Sequence, residues 1–323
     1  MMHTVFIDGE AGTTGLDVLR RLEARADLAI IALGDRRRDV EARREALNSA
    51  DAVILCLPDE AAKEAVAMIE NPGVRVIDAS TAYRVDPAWT YGFAEMAHAP
   101  GRMTQAEKIA GATRVSNPGC YPTGFIGLVR PLVSAGIIPA GWPVTVNAVS
   151  GYSGGGKAMI AEFEAAPGSS PGVTKRDAFR AYGLSLKHKH VPEMTLHTGL
   201  ERPVLFAPAV AAYRQGMLVE VPLQLAALPS SPSVEVVHGA LAEAYAGCRF
   251  VEMAELETTE AMTGIDPEGL NGTNTMRLHV FGDRDGAQVR LVALLDNLGK
   301  GASGAAVQNL NLMLGLDEGT GLG

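Results

Sequence analysis

Cysteine is scarce in this sequence, and its three copies form no pattern. Cys56, Cys120 and Cys248 are widely spaced and odd in number, whereas disulfide frameworks and zinc sites use closely spaced pairs. We therefore expect reduced thiols and no metal built on cysteine. Thiols stay reduced in the cytoplasm, which is the expected setting.

Long apolar runs and an excess of positive charge are missing as well. No run reaches the roughly 18 apolar residues that indicate a membrane span. The formal net charge is −9, whereas nucleic-acid binding needs clustered lysine and arginine to neutralise phosphates. The N-terminal sequence MMHTVFIDGEAG lacks the basic stretch, long apolar region and cleavage site of a signal peptide. The sequence thus predicts neither a nucleic acid nor a membrane as partner.

The first third of the chain alternates strand-like and helix-like segments. Short apolar runs are separated by segments in which apolar residues recur at helical spacing. Strands are predicted at residues 4–8, 28–33, 52–57 and 74–78, and helices at residues 16–24, 36–49 and 61–69. This order predicts an α/β protein whose N-terminal domain is a Rossmann-type, doubly wound parallel sheet.

After residue 80 the regular alternation of strands and helices ends, and a hairpin turn would pair the last two predicted strands. Strands are predicted at residues 143–149, along a strand-like stretch in 204–226, and at 276–280 and 287–295, with a helix at 234–245. The turn GDRDG between the last two strands indicates a hairpin and favours a second, α+β domain with a mostly antiparallel sheet. We assign residues 1–118 with 302–323 to dinucleotide binding and residues 119–301 to catalysis. A final helix at 302–316 should pack on the first domain.

Three glycines follow the first predicted strand and open the first helix. Gly9, Gly12 and Gly15 would let the backbone turn tightly and approach a pyrophosphate, whose charge the free amides at the helix start would face. Thr13 and Thr14 stand where they could cap the helix. The spacing differs from the commoner G-x-G-x-x-G, so a purely structural turn remains an alternative reading of these glycines.

The end of the second predicted strand carries an acidic residue and then three basic ones. Asp35 stands where a carboxylate would bind an adenosine ribose hydroxyl. Arg36, Arg37 and Arg38 follow directly, and guanidinium groups suit the 2′-phosphate that distinguishes NADP from NAD. The cluster favours NADP(H), although at least one of these arginines can simply face solvent.

Cys120 differs from the other cysteines in its surroundings. It follows a Pro-Gly turn, and Pro122 suits the first turn of a helix, so the sulfur is predicted at a helix N-terminus. The partial positive charge there lowers a thiol pKa and favours the nucleophilic thiolate. Cys56 and Cys248 lie in apolar segments and are better explained as small buried residues.

The sequence around this cysteine, SNPGCYPTG at residues 116–124, resembles the active-site signature of the N-acetyl-γ-glutamyl-phosphate reductases. Further matches occur in the family's order: GEAGTTG at 9–15, DASTAYR at 78–84, YGFAEM at 91–96, KHKHVPE at 187–193 and DNLGKGASGAAVQNLN at 296–311. The segment GYSGGGK at residues 151–157 and the modest length of the chain are similar to the short-form branch of this family. Aspartate-semialdehyde dehydrogenases share the fold and chemistry but typically carry asparagine where this chain has Gly119. The motif DASTAYR at residues 78–84 differs from DxSADFR, the motif that is commoner in this family.

The resemblance implies a reaction and a set of site residues. N-acetyl-γ-glutamyl phosphate would be reduced by NADPH to the semialdehyde and inorganic phosphate, on the arginine pathway, by a homo-oligomer (dimer or tetramer). Cys120 would attack the acyl phosphate and form a thioester, and His190 would act as acid and base. Glu193 would position the ring or the substrate. The implied substrate contacts are Asn117, Ser153, Tyr182 and His188, and the implied cofactor contacts beyond the glycine turn and arginines are Ser80, Gly301 and Ala302.

His188 and His190 stand apart from the other five histidines. Residues two apart in an extended segment point the same way, so both rings could line one site. No third ligand follows nearby, and we therefore predict no metal.

Three other functions fit part of the pattern. An aspartate-semialdehyde dehydrogenase is disfavoured by KHKHVPE and Gly119. A hydrolase with a Cys120–His190 dyad would leave the glycine turn without a role. A non-catalytic dinucleotide-binding regulator would not need a thiol at a helix start.

Overall fold

The computed structural model describes residues 2–97, 101–165, 177–283, 285 and 287–322, with the backbone alone at Arg37 and Arg38. The chain divides into two compact units. Unit one consists of Met1–Ala94, Met103–Gly119 and Ala302–Gly323, and unit two of Glu95–Arg102 and Cys120–Gly301. Within the described ranges, no helix is both long and apolar enough to cross a membrane.

Strands and helices are numbered along the chain. The strands are β1 His3–Asp8, β2 Leu28–Ile31, β3 Ala52–Leu55, β4 Arg75–Asp78, β5 Thr90–Tyr91, β6 Arg114–Ser116, β7 Thr145–Gly151, β8 Phe179–Ala181, β9 Leu205–Ala211, β10 Met217–Gln224, β11 Val251–Met253, β12 Met276–Asp283 and β13 Gln288–Leu295. The helices are α1 Thr13–Leu22, α2 Val40–Ser49, α3 Asp59–Ala67, α4 Gln105–Gly111, α5 Cys120–Ser134, α6 Gly156–Glu164, α7 Val191–Thr198, α8 Val234–Ala244, α9 Leu256–Glu260 and α10 Gly304–Met313.

Unit one contains a six-stranded sheet in the order β2-β1-β3-β4-β6-β5, with every paired strand parallel. The predicted Rossmann-type parallel sheet is confirmed. Strand residues such as Val5, Ile54 and Ile77 are fully or almost fully buried, because helices cover the sheet. The C-terminal α10 joins this core through Val307 and Leu310, so the final helix packs on the first unit, as expected.

The segment after β2 differs from the prediction of one helix over residues 36–49. A short 3₁₀ turn, Gly34–Arg38, comes first, and Asp39 is extended. The Asp39 carboxylate accepts hydrogen bonds from the backbone N–H groups of Glu41 and Ala42, at 3.0 and 3.3 Å. The predicted single helix is wrong because this N-cap starts α2 at Val40. The helix is therefore separated from the three arginines at residues 36–38.

Unit two contains a seven-stranded sheet in the order β11-β12-β13-β10-β7-β9-β8. Only β11 with β12 and β7 with β9 are parallel, so the predicted mostly antiparallel sheet is confirmed. Helix α5 packs closely on one face, since a Cβ on Gly124 would lie 2.8 Å from Val219 of β10. Residues of β10 accordingly alternate between buried and more exposed positions.

The strand-like stretch at residues 204–226 is in fact two strands, β9 and β10. The chain turns at Gly216, which has a φ of +108°, and a Cβ there would overlap the carbonyl oxygen of Pro267. Strand β7 lies between β9 and β10 in the sheet, a pairing that hydrophobicity alone does not encode. The predicted hairpin is confirmed as β12 and β13, while Arg284 and Gly286 of its turn lie outside the described residues.

Candidate active site

Cys120 is the first residue of α5, as predicted, and is half-buried. Cys120 therefore lies at the end of α5 that carries partial positive charge, which favours a thiolate. Burial, and then the carboxylates of Asp78 and Asp8, raise the pKa of the Cys56 thiol to about 12. All three cysteines are outside disulfide bonds. Cys56 is thus a protonated thiol at neutral pH, and Cys120 is the better placed nucleophile.

The segment that leads to Cys120 is anchored through Asn117, which is almost fully buried in unit one. The Asn117 side chain donates to the carbonyl of Ala302 at 2.9 Å and accepts from Nδ2 of Asn309 at 3.0 Å. Nε of Arg84 donates to the Asn117 carbonyl at 2.9 Å. These bonds give Asn117 a positioning role, whereas its substrate contact stays a prediction.

His188 and His190 lie side by side, with ring centroids 4.7 Å apart. The backbone N–H of His190 donates to Nδ1 of His188 at 3.2 Å, so a neutral His188 carries its proton on Nε2. Burial, and then Lys189, lower the pKa of His188. His190 directly precedes α7, and Glu193 is buried in the first turn of that helix. The structure therefore brings the two histidine rings together and places Glu193 one helical turn further along the chain.

Two tyrosines form a hydroxyl chain beside the histidines. Tyr182 donates to the hydroxyl of Tyr121 at 3.2 Å, and Tyr121 donates to the carbonyl of Ala209 at 2.9 Å. The rings of Tyr182 and His188 have centroids 5.8 Å apart. Burial raises the pKa of Tyr182 to about 12, so its hydroxyl stays protonated and can donate. Sequence reasoning missed Tyr121, although it directly follows the cysteine.

Ser153 is buried and held by a residue that the sequence analysis missed. Nδ2 of Asn297 donates to the Ser153 hydroxyl at 2.9 Å, and Oδ1 of Asn297 accepts from the backbone N–H of Gly216 at 2.8 Å. Asn297 stands two residues after the end of β13, and a polar residue just beyond a buried strand is the signal that could have revealed it.

Gly301 lies against the cysteine within unit two. A Cβ on Gly301 would be 2.9 Å from Cβ of Cys120, closer than real side chains approach. The absence of a side chain at Gly301 is therefore required by packing on Cys120. Its predicted cofactor contact, like that of Ala302, stays a prediction.

The glycine turn in unit one has the form that a pyrophosphate requires. Gly9 has a φ of +91°, and a Cβ on it would overlap the carbonyl oxygen of Cys56. A Cβ on Gly15 would overlap the carbonyl oxygen of Gly9. Gly12 directly precedes α1, and Thr13 and Thr14 form its first turn, which contains no acidic residue. The amides at this helix start therefore keep an uncompensated partial positive charge and fit a phosphate.

Two other predicted cofactor residues follow other strands of the same sheet, Arg36 after β2 and Ser80 after β4. Arg36 is exposed in the 3₁₀ turn, and the side chains of Arg37 and Arg38 lie outside the described residues. The Ser80 hydroxyl is buried and donates to Asp78 at 2.6 Å. Sequence reasoning missed Arg43, whose Nε and Nη2 lie 2.8 and 2.7 Å from Oδ2 of Asp8.

Over the ranges of the chain that the structure describes, no three His, Cys, Asp or Glu side chains are grouped so that they could hold a metal ion.

Comparison with known proteins defines the class. Residues 120–297 match the family model described as semialdehyde dehydrogenase, dimerisation domain, and residues 38–102 match the model described as semialdehyde dehydrogenase, NAD binding domain. Aspartate semialdehyde dehydrogenase II from Vibrio cholerae has a TM-score of 0.71 at 17% identity, over 97% of this chain and 99% of that one. The chain is of the semialdehyde dehydrogenase class.

Relatives in sequence resolve the family within this class. N-acetyl-gamma-glutamyl-phosphate reductase from Burkholderia ambifaria is 53% identical over 97% of this chain and 96% of its own length. The protein of the same name from Rhizobium etli is 54% identical over 97% of this chain and 99% of its own. The chain belongs to the N-acetyl-γ-glutamyl-phosphate reductase family.

Proposed function

We propose that this protein reduces N-acetyl-γ-glutamyl phosphate to N-acetylglutamate semialdehyde and inorganic phosphate, with NADPH, as a step of arginine biosynthesis. The observation that carries the proposal is the position of Cys120. It begins α5 with the backbone of Gly301 packed on it, in a chain more than half identical to proteins that bear this name.

The chemistry begins at the sulfur of Cys120. The thiolate bonds to the acyl carbon, the C–O bond to phosphate breaks, and a thioester remains on the enzyme. The amides at the start of α5 stabilise the oxyanion that forms at this carbonyl. After reduction of the acyl carbon, the C–S bond breaks, so the semialdehyde leaves and the thiolate is restored.

The proton that accompanies reduction needs a carrier next to the sulfur. We assign this role to His190, which protonates the oxygen of the thiohemiacetal and removes the proton again as the aldehyde forms. His188, neutral and with its proton on Nε2, would donate a hydrogen bond to the substrate. The Tyr182 hydroxyl, whose proton is donated to Tyr121, would contact the substrate as an acceptor. Glu193 would position the His190 ring or the substrate.

Most of the cofactor contacts that we propose belong to unit one. Gly9, Gly12 and Gly15 leave room for a pyrophosphate, and Thr13 and Thr14 line the same helix start. Arg36 and Arg37 would bind the 2′-phosphate, with Ser80, Gly301 and Ala302 as further contacts. When bound, NADPH supplies the hydride for the reduction.

The protein is further proposed to work as a homo-oligomer, a dimer or a tetramer, joined through the second sheet. The matching family model is described as a dimerisation domain. The face of the sheet away from α5 carries a groove of about 430 Å³, lined in part by Phe179, Leu184 and Leu186, which are more than half exposed. Apolar surface of this kind is typical of an interface.

One assay tests the proposed reaction. Purified protein is given N-acetylglutamate semialdehyde, phosphate and NADP⁺, and NADPH formation is followed by its absorbance, with aspartate semialdehyde as the comparison substrate and Cys120→Ser as the control variant. We expect NADPH from the acetylated substrate and none from the variant. Faster turnover of aspartate semialdehyde would support the alternative dehydrogenase, and no NADPH from either aldehyde would refute the proposal.

A further inference from the structure

The segment between β13 and α10 forms a π-helical turn, Gly299–Ser303. The backbone N–H of Gly301 donates to the carbonyl of Asp296, five residues earlier, at 2.9 Å. Such turns are rare, and they occur frequently at functional sites. Something other than local preference must therefore hold this backbone in place.

The turn is tightly fitted on two sides within unit two. On one side, a Cβ on Gly301 would lie 2.9 Å from Cβ and 3.3 Å from Cα of Cys120. On the other, a Cβ on Gly299 would overlap the carbonyl oxygen of Thr273. Because closely packed atoms transmit displacement, a shift of this turn changes the surroundings of Cys120.

Lys300 lies between these two glycines, and its side chain is only 2% exposed. Its Nζ lies 2.8 and 2.7 Å from the two carboxylate oxygens of Glu95, a side chain that is 5% exposed. Nζ also lies 5.6 Å from the ring centroid of Phe250. Both charges are thus buried and matched to each other inside unit two.

Stability is a weak explanation for a buried ion pair. Removing two charges from water offsets much of their attraction, and apolar residues of similar size often stabilise a protein as well. What an apolar pair does not provide is direction, because only the hydrogen-bonded pair holds the ammonium at one point. The Lys300–Glu95 pair can therefore hold the turn in one position.

We propose that Lys300 and Glu95 are positioning residues for the nucleophile. By anchoring the π-helical turn, they keep the Gly301 backbone packed on Cys120 and hold the thiol in one orientation at the start of α5. This inference rests on the proposed function, in which Cys120 is the nucleophile. Misplacement of reacting groups by about 1 Å costs about 10²-fold in rate, so an effect of about 10- to 100-fold on kcat is expected.

The test compares two double variants. Lys300→Met with Glu95→Leu replaces the pair by apolar side chains of similar length and leaves no isolated charge. We expect a melting temperature near that of the wild type, about 10- to 100-fold lower kcat with a smaller change in KM, and slower alkylation of Cys120 by iodoacetamide. Lys300→Arg with Glu95→Asp keeps an ion pair and should restore both rates to near the wild-type values.

A matched control separates positioning from general loosening of unit two. Val237→Ala creates a cavity in the buried face of α8 and should lower the melting temperature without slowing alkylation of Cys120. The proposal is overturned if the apolar pair keeps both rates, or if Val237→Ala slows alkylation as much. Should the apolar pair fail to fold, Glu95→Gln, which keeps the shape of the side chain, is compared with the arginine–aspartate pair instead.

Alkylation also distinguishes this inference from the proposed function, because it requires no substrate. A wild-type protein without reductase activity would refute the function, whereas equal alkylation rates in all variants would refute the role of the pair alone.

Discussion

The backbone N–H of His190 donates a hydrogen bond to Nδ1 of His188 across 3.2 Å. The bond exists only while Nδ1 of His188 is unprotonated, so it favours the neutral ring, as burial does. The same contact orients His190, which directly precedes α7. The two neighbouring histidines therefore differ in what they can do: His188 has one nitrogen already occupied, and its Nε2–H is left to donate.

The first prediction separates the roles of these histidines. His190→Asn keeps much of the volume of the ring but removes a group that carries a proton near neutral pH, so kcat should fall by about 10²- to 10⁴-fold. His188→Asn should raise KM more than it lowers kcat, because it removes a contact to the substrate. Steady-state kinetics over a range of pH, with NADPH affinity as the control, will measure both. The reverse pattern would transfer the acid and base role to His188.

The second prediction concerns the reactivity of the three cysteines. Brief treatment with iodoacetamide should modify Cys120 first, because the thiolate is the reacting form and the helix start stabilises it. Cys56 should react far more slowly, since burial raises the pKa of its thiol to about 12. Mass spectrometry of the digested protein will identify the site. Cys120→Ala should bind NADPH normally without turnover. Early modification of Cys56 or Cys248 with activity retained would contradict the mechanism.

The third prediction concerns the choice between NADPH and NADH. A charge-assisted bond to phosphate contributes roughly 1.5–3 kcal/mol, so Arg36→Ala with Arg37→Ala should weaken NADPH binding by about one to two decades and leave NADH binding unchanged. Fluorescence titration with each cofactor measures this. Arg44→Ala, on the neighbouring α2, is the control and should have no effect. Equal affinity of the wild type for both cofactors would mean that the arginines only face solvent.

The fourth prediction concerns pH and His279, a buried residue of β12. Neither ring nitrogen has a hydrogen-bond partner among the described residues, and burial, followed by Arg277, lowers the pKa of the ring from 6.5. The unfolded chain therefore binds a proton that the folded one does not. The free energy of unfolding should fall as pH drops below about 6.5 and level off below the folded pKa.

His279→Leu should remove part of this dependence. It also removes two buried polar atoms, so the free energy of unfolding should rise by about 1–2 kcal/mol, and by more at about pH 6 than at about pH 8. Urea unfolding at both pH values measures the difference. The same pH slope in the variant and the wild type would rule out His279 as the cause.

The fifth prediction tests the proposed interface. Phe179→Glu with Leu205→Glu places charges on the exposed face of the second sheet and should shift the protein towards the monomer, as measured by sedimentation velocity. Val236→Glu, an equally exposed apolar position on α8, is the control and should leave the assembly unchanged. An unchanged assembly in the double variant would place the interface elsewhere.

The sequence by itself determined the features that depend on neighbouring residues. The alternation of strands and helices predicted the parallel sheet, because short connections and right-handed crossovers leave few other arrangements. The Pro-Gly turn before Cys120 predicted the helix that starts there, and the glycines after β1 predicted a turn without side chains. Each of these depends on local backbone preference. The break at Asp39 is also local, and the helix prediction over residues 36–49 overlooked that N-cap.

Only the tertiary structure decided which distant residues meet. Lys300 and Glu95 are 205 residues apart, and Asn297 and Ser153 are 144 apart. Strand β7 enters the sheet between β9 and β10, a choice that apolar alternation does not express, since the alternation is the same for every partner. Burial also raises the pKa of the Cys56 thiol to about 12, an effect that depends on which distant residues cover this side chain. These outcomes depend on packing and on the local dielectric, which exist only once the chain has folded.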